Sequence, residues 1–307
     1  MKKIFAFLFL IVLASCSKSE DEIIIPNRTL NVTIGAENFE LKSDLIASNE
    51  NCNFLFVNAK YNGINELGFR INFCLTKTGA LKTISLYNYR ESNKEYGSAD
   101  FNPLSILSIK NFSYNPSTNY LHFEFEGDLV EVESSFTLID VLKPRKFVKG
   151  QVTIKDVLKT NCNSSFNDVN FDTNNLKFAT INSLGTNDSS ATNPFVFSCF
   201  SENGYKISFK SAVDLWNLPI GQYNFNENDI QNRIDLEKYI GNVRATQLLW
   251  IRPVDWQNYQ TSGNYIIQEH VLINGQKITK GIFNINVYEN SNLIHTINNA
   301  KFEILGF

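Results

Sequence analysis

The feature that most constrains this chain is a period of two. Apolar and polar residues alternate along almost every segment between its turns, as in "NFLFVNAKYNGINELGFRINFCL", "FVFSCFSENGYKISFKSAV" and "YIIQEHVLINGQKITKGIFNINV". Such a pattern puts one set of side chains on each face of a strand and cannot present a continuous apolar stripe on a helix. The breaks fall at Asn62-Gly63, Asn203-Gly204 and Asn274-Gly275, dipeptides that tolerate the positive φ of a two-residue hairpin turn. "LNVTIGAENFEL" reads as strand, turn, strand, and "NLIHTINNAKFEIL" as the closing strands. "YLHFEFEGDLVEVESSF" reads as another hairpin about Gly127-Asp128. One stretch, "NDIQNRIDLEKYI", fits a helix through Ile230, Ile234 and Ile240 about as well as a strand through Ile234, Leu236 and Ile240. The expectation is an all-β protein.

At 307 residues the chain is long enough for two domains. "RKFVKGQVTIKDV" parallels "QKITKGIFNINV", matching Gly150 to Gly281, and "STNYLHFEF" parallels "SGNYIIQEH". These pairs suggest two diverged copies, each a β-sandwich or open barrel, over residues 27–158 and 159–307.

The N-terminus reads as an export signal. Lys2 and Lys3 precede an apolar run, Ile4 to Val12, that is too short to span a bilayer. Leu13-Ala14-Ser15-Cys16 resembles the lipobox of bacterial lipoproteins. The resemblance implies cleavage of residues 1–15, acylation of Cys16, and a lipidated acidic tether over residues 16–26. Several acyl chains anchor a protein stably where one does not. Ser19-Glu20-Asp21-Glu22 resembles the export signal of surface lipoproteins in the Bacteroidetes, which implies an outer-membrane protein facing the cell exterior.

Cleavage would remove two lysines and no acid, taking the net charge from −3 to −5. With no basic tract, nucleic acid is not an expected partner. With Cys16 spent on lipid, Cys52, Cys74, Cys162 and Cys199 remain, an even number that suits disulfides in an oxidising compartment. Three connectivities are open. Pairing within each proposed domain gives Cys52–Cys74 and Cys162–Cys199. No CxxC or ligand-spaced histidine pair suggests a metal, and no cofactor motif is present.

No nucleophile elbow, P-loop, dinucleotide loop or HExxH motif occurs. A turn at Gly127-Asp128 would set Glu124 against Glu131 and His122 against Glu133, a carboxylate pair whose uses range from a solvated face to a weak cation site. "NFNENDIQNRID" spaces Asn224, Asn226, Asn228 and Asp235 loosely like a calcium loop but lacks the glycine and bidentate glutamate. The aromatic residues lead further. "WIRPVDWQNYQTSGNY" gathers Trp250, Trp256 and Tyr259 among Arg252, Asp255, Gln257 and Asn258, with Pro253 and Gly263 suggesting a loop. Flat rings beside amides and a carboxylate suit a saccharide. The same rings would equally serve a core.

"KGIFNINVYENSNLIHTINNAKFEI", and "SENGYKISF" followed by "PIGQYNF", resemble the strands of small uncharacterised flavobacterial lipoproteins. That resemblance implies a compact β-sandwich or open barrel and no particular activity. Function then stands as a non-catalytic binding or accessory module at the cell surface, with glycan as a ligand class. The alternatives are an adhesin or assembly subunit engaging another envelope protein, and, third, a hydrolase.

Overall fold

Among the described residues, twenty strands build two β domains. The computed structural model describes residues 27–62, 68–89, 91, 94–99, 101, 105–132, 144–161, 167–173, 175–241 and 253–307.

The first domain holds β1 (Arg28–Ile34), β2 (Glu37–Lys42), β3 (Ile46–Asn51), β4 (Phe54–Tyr61), β5 (Phe69–Thr76), β6 (Leu81–Asn88), β7 (Lys94–Gly97), β8 (Leu107–Asn115), β9 (Tyr120–Glu131), β10 (Arg145–Ile154) and β11 (Leu158–Lys159). They form one sheet in the order β11-β3-β4-β5-β6-β7-β9-β10-β1-β2, with β8 on β9. The sheet curls into a half-barrel about a core that includes Leu30, Phe73, Phe123, Phe125 and Val152. Arg28 fastens its ends: the guanidinium donates to both carboxylate oxygens of Asp156, at 2.8 and 3.0 Å, and to the Ile46 carbonyl.

The second domain holds β12 (Asp168–Asp172), β13 (Lys177–Asn187), β14 (Phe195–Ser201), β15 (Tyr205–Ser211), β16 (Gly221–Phe225), β17 (Arg233–Tyr239), β18 (Trp256–Ile273), β19 (Gln276–Glu289) and β20 (Asn292–Leu305). The order β18-β17-β15-β14-β13-β12-β20-β19 closes through β18–β19 pairing into an eight-stranded barrel, with β16 outside on β18. Eight strands enclose just enough room for side chains to fill. Here Phe178, Phe197, Phe209, Tyr265, Phe283 and Phe302 fill it. Lys206, Lys210, Arg233 and Glu237 stand on the outer wall, the reverse of a lipid-facing barrel, whose wall is apolar.

Gly150 and Gly281 perform the same task in the two domains. Each sits in register with a phenylalanine, Phe125 or Phe302. A Cβ at Gly281 would lie 2.0 Å from the Ile266 carbonyl oxygen and 2.6 Å from the Phe302 ring; one at Gly150 would lie 2.2 Å from the Asn31 oxygen and 2.8 Å from the Phe125 ring. The ring takes the space that the glycine vacates.

The domains pack on one another. Phe101 from the first inserts among Phe200, Tyr239 and Trp256 of the second, with ring centroids 5.7, 5.2 and 5.3 Å away. Ala80 meets Ala179 and Ile181, and the Leu81 amide donates to the Glu202 carboxylate.

Two sequence expectations are corrected and one open reading is resolved. Gly127-Asp128 is not a turn: β9 runs straight through it, because Gly127, at φ 144°, lets the Ile106 carbonyl of the neighbouring segment approach where a Cβ would stand. Glu124 therefore faces Lys110 and Gln151 across the sheet, while Glu131 pairs with Lys94 at 3.1 Å. The helix candidate is strand β17, with Ile234 and Leu236 buried two apart, whereas Ile230 and Ile240 are 66% and 59% exposed. The aromatic stretch from Trp256 onward is no loop but the start of β18.

The disulfide pairing is corrected as well. Cys74 and Cys199 are free, buried thiols, so neither Cys52–Cys74 nor Cys162–Cys199 forms. Cys74 lies opposite Phe56, four residues beyond Cys52. At the rise of a strand that is roughly 13 Å, about twice the Cα separation that a disulfide bridges. Cys199 faces the barrel interior beside Ile207. Cys52, in the β3–β4 turn at φ 47°, is disulfide-bonded. Cys162 lies outside the described residues, as do Cys16 and Ser19, Glu20, Asp21 and Glu22.

Candidate functional site

The residues that sequence singled out separate into two places. Trp250 lies outside the described residues. Trp256 opens β18 opposite Tyr239 and is half-buried in the domain interface against Phe101, Phe200 and Tyr239, with the Lys206 ammonium 4.7 Å from its ring centroid. The ring is thus engaged by its own protein.

Tyr259, three residues on, lies opposite Leu236 and packs its ring against the barrel core. Burial pushes its phenol pKa up, which keeps it neutral. Tyr259 and its neighbours Asn258 and Gln260 line a cleft of about 330 Å³ on the outer wall, together with Asn193, Lys210, Ile230, Arg233 and Asp235.

The cleft rests on a charge ladder that strand register creates. β15 pairs directly with β17, setting Lys206 against Glu237, Ser208 against Asp235 and Lys210 against Arg233. Alternation sends Ile207, Phe209, Ile234 and Leu236 inward and leaves the charged residues outside. Asp235, only 6% exposed, accepts from Lys210 at 2.5 Å and from Arg233 Nε at 2.6 Å. Two cations satisfy this buried carboxylate, so it acts as a fixed acceptor and not as a poised base. The rest of the Arg233 guanidinium donates to the Asp229 carbonyl at 2.6 Å, the Glu227 carbonyl at 3.4 Å and the Thr261 hydroxyl at 3.3 Å. Lys206 pairs with Glu237. Its pKa falls to about 8, through burial first and then the nearby Lys210 charge.

One atom on the wall is orphaned. The Asn193 amide donates from Nδ2 to the Ile230 carbonyl at 2.5 Å, but its buried Oδ1 accepts nothing. A buried acceptor left unmade costs about 1–3 kcal/mol, and a ligand hydroxyl would relieve it.

Sequence inspection missed Asn193, Lys210 and Arg233, and singled out Asp235 only within a calcium-like spacing. The available signal was the opposite-charge pattern of Lys206/Lys210 and Arg233/Asp235/Glu237, which becomes a ladder only once β15 and β17 are known to pair across the intervening β16.

The other candidates do not assemble. Asn226 and Asp229 close a local turn, the Asn226 amide donating to Asp229 Oδ2 at 2.6 Å, while Asp235 is held in the ladder. His122 and His270 each bond a threonine on the neighbouring strand, Thr153 and Thr279, both at 3.0 Å. Among the described residues no group of three side chains is placed to hold a metal. The outer face of the half-barrel carries a larger groove of about 510 Å³, lined by Asn31, Phe39, Glu124 and Gln151 among others. There, Lys110 and Lys149 both lean on Glu126, at 3.0 and 3.8 Å.

Fold and site together describe a two-domain all-β protein with a polar cleft on the wall of its closed barrel. No protein-family model matches the chain, and neither the curated proteins nor the solved structures contain a match.

Proposed function

We propose that this protein is a lipid-anchored outer-membrane protein at the cell surface, serving as a non-catalytic binding or accessory module whose ligand is a glycan held in the β15–β17–β18 cleft. The observation that carries the reading is the convergence of an orphaned acceptor, Asn193 Oδ1, with the Asn258 and Gln260 amides and the Lys210 ammonium around one cavity. Saccharide hydroxyls donate and accept at once, as such a lining requires. The lipobox at Leu13 to Cys16 and the acids Glu20, Asp21 and Glu22 support the address.

A glycan array on the soluble chain from residue 23 tests the ligand. Binding should weaken about tenfold in Asn193→Ala or Asn258→Ala, a loss equal to one good hydrogen bond. Binding that ignores both variants would move the site elsewhere. An array without hits would favour a protein partner in the envelope. Proteinase added to intact cells should degrade the wild type, and full protection would overturn the surface address.

A further inference from the structure

We infer that the ligand of this cleft is an anionic saccharide, one bearing carboxylates, and not a neutral one. The inference rests on the binding role proposed above and concerns the charge of the ligand.

The ladder holds three cations, Lys206, Lys210 and Arg233, against two carboxylates, Asp235 and Glu237. One positive charge is therefore left over, on the wall of a protein whose overall charge is negative. The surplus is not spread evenly. Arg233 spends its donors on Asp235, two carbonyls and Thr261, and Lys206 is committed to Glu237 and the Trp256 ring. The Lys210 ammonium has Asp235 alone and is one-third exposed at the cleft, so two of its three N–H donors are left for a ligand. Among the described residues Lys210 has no ion pair besides Asp235, and Asp229 turns its carboxylate to the Asn226 amide.

A ligand carboxylate at Lys210 would balance the surplus where burial has already lowered the local dielectric. Charge-assisted bonds of this kind are about twice as strong as neutral ones. Beside it, Asn193 Oδ1 would accept a hydroxyl. The Asn258 and Gln260 side chains, which form no hydrogen bond within the described residues, would meet others. Ile230, largely exposed at the rim, offers an apolar edge to a sugar ring.

The test titrates the soluble chain with oligomers of polygalacturonate, their fully methyl-esterified forms and a neutral galactan, at low and high salt. The acidic oligomers should bind about tenfold or more tightly than their esters, and salt should erode that advantage. Lys210→Met keeps the aliphatic stem and should abolish the preference for the acid over its ester; Lys210→Arg should restore it. A single cooperative melting transition in each variant would confirm that it folds. Equal binding of acid and ester, or a Lys210→Met protein that still prefers the acid, would overturn the charge inference and leave the glycan role standing. Binding to no saccharide at all would overturn both.

Discussion

Replacing Trp256 by alanine separates an architectural ring from a ligand platform. The indole contacts Phe101, Phe200 and Tyr239 at centroid distances of 5.3, 5.9 and 5.5 Å, two of them edge-on and one tilted. Each such pair is worth about 0.5–1.5 kcal/mol, and the Lys206 cation above the ring adds roughly 0.5–1 kcal/mol. Full burial of a large aromatic side chain is worth about 3–5 kcal/mol on truncation. Because Trp256 is only half-buried, we expect a loss of about 2–3 kcal/mol, which lowers the melting temperature by roughly 5–10 °C for a domain of this size. Phe101→Ala, cut from the other side of the interface, should lose a similar amount. The double variant should lose less than the sum, since the two rings share one contact. Calorimetry of the three variants measures this directly. A Trp256→Ala protein that melts within about 1 °C of wild type yet no longer binds saccharide would refute the packing argument and return the ring to the binding surface.

Gly281→Ala should destabilise the barrel by more than about 3 kcal/mol, since its Cβ would sit on the Ile266 carbonyl and the Phe302 ring; Gly275→Ala, with open space around it, should cost about 1 kcal/mol from its positive φ alone. Burial, aided by the Glu303 carboxylate, pushes the Asp168 pKa up from 3.8 to about 6. Between those values the folded chain therefore holds a proton that the unfolded chain releases. Stability from this group should rise as pH falls from 7 through 6, levelling near 4, and thermal melts of Asp168→Asn should lack that rise. Non-reducing peptide mapping should find Cys52 linked to Cys162. Cys74 and Cys199 are free, and parallel pairing sets Lys159, three residues before Cys162, against Glu50, two residues before Cys52. A map in which both Cys52 and Cys162 are alkylated without reduction would sink this link. Burial raises the thiol pKa of Cys74, to about 11, and of Cys199, so both should resist thiol reagents until the protein unfolds.

What was legible in the sequence was local. Asn274 and Gly275 take φ of 51° and 79°, the pair of left-handed residues that an Asn-Gly hairpin demands, whereas at Asn203-Gly204, between β14 and β15, the left-handed residue is Gly204 at φ 80°. The Asn274-Gly275 turn stands in open space, while Asn203 also donates to the Lys177 carbonyl. Gly127 and Gly263 looked the same by residue type but serve a different purpose. Each lies inside a strand where a neighbouring carbonyl approaches to about 2 Å of the missing Cβ, a close approach visible only once the sheet is built. The choice between helix and strand at Ile230 to Ile240 was open in the sequence for the same reason. Ile230 and Ile240 supplied the helical spacing, yet both are exposed, and the buried pair Ile234 and Leu236 is two apart.

The cleft was the least legible part because none of its chemistry is local. Asn193 comes from the approach to β14, Lys210 from β15, Arg233 and Asp235 from β17, and Asn258 and Gln260 from β18. Read along the chain, Lys210 and Asp235 are ordinary outward residues of two alternating strands. Barrel closure passes over β16 and pairs β15 with β17. That pairing turns two separate charges into a buried contact, leaves Lys210 with donors to spare and strands an amide oxygen beside them. The order of the strands, more than the identity of any residue, is what makes this wall of the barrel the proposed binding surface.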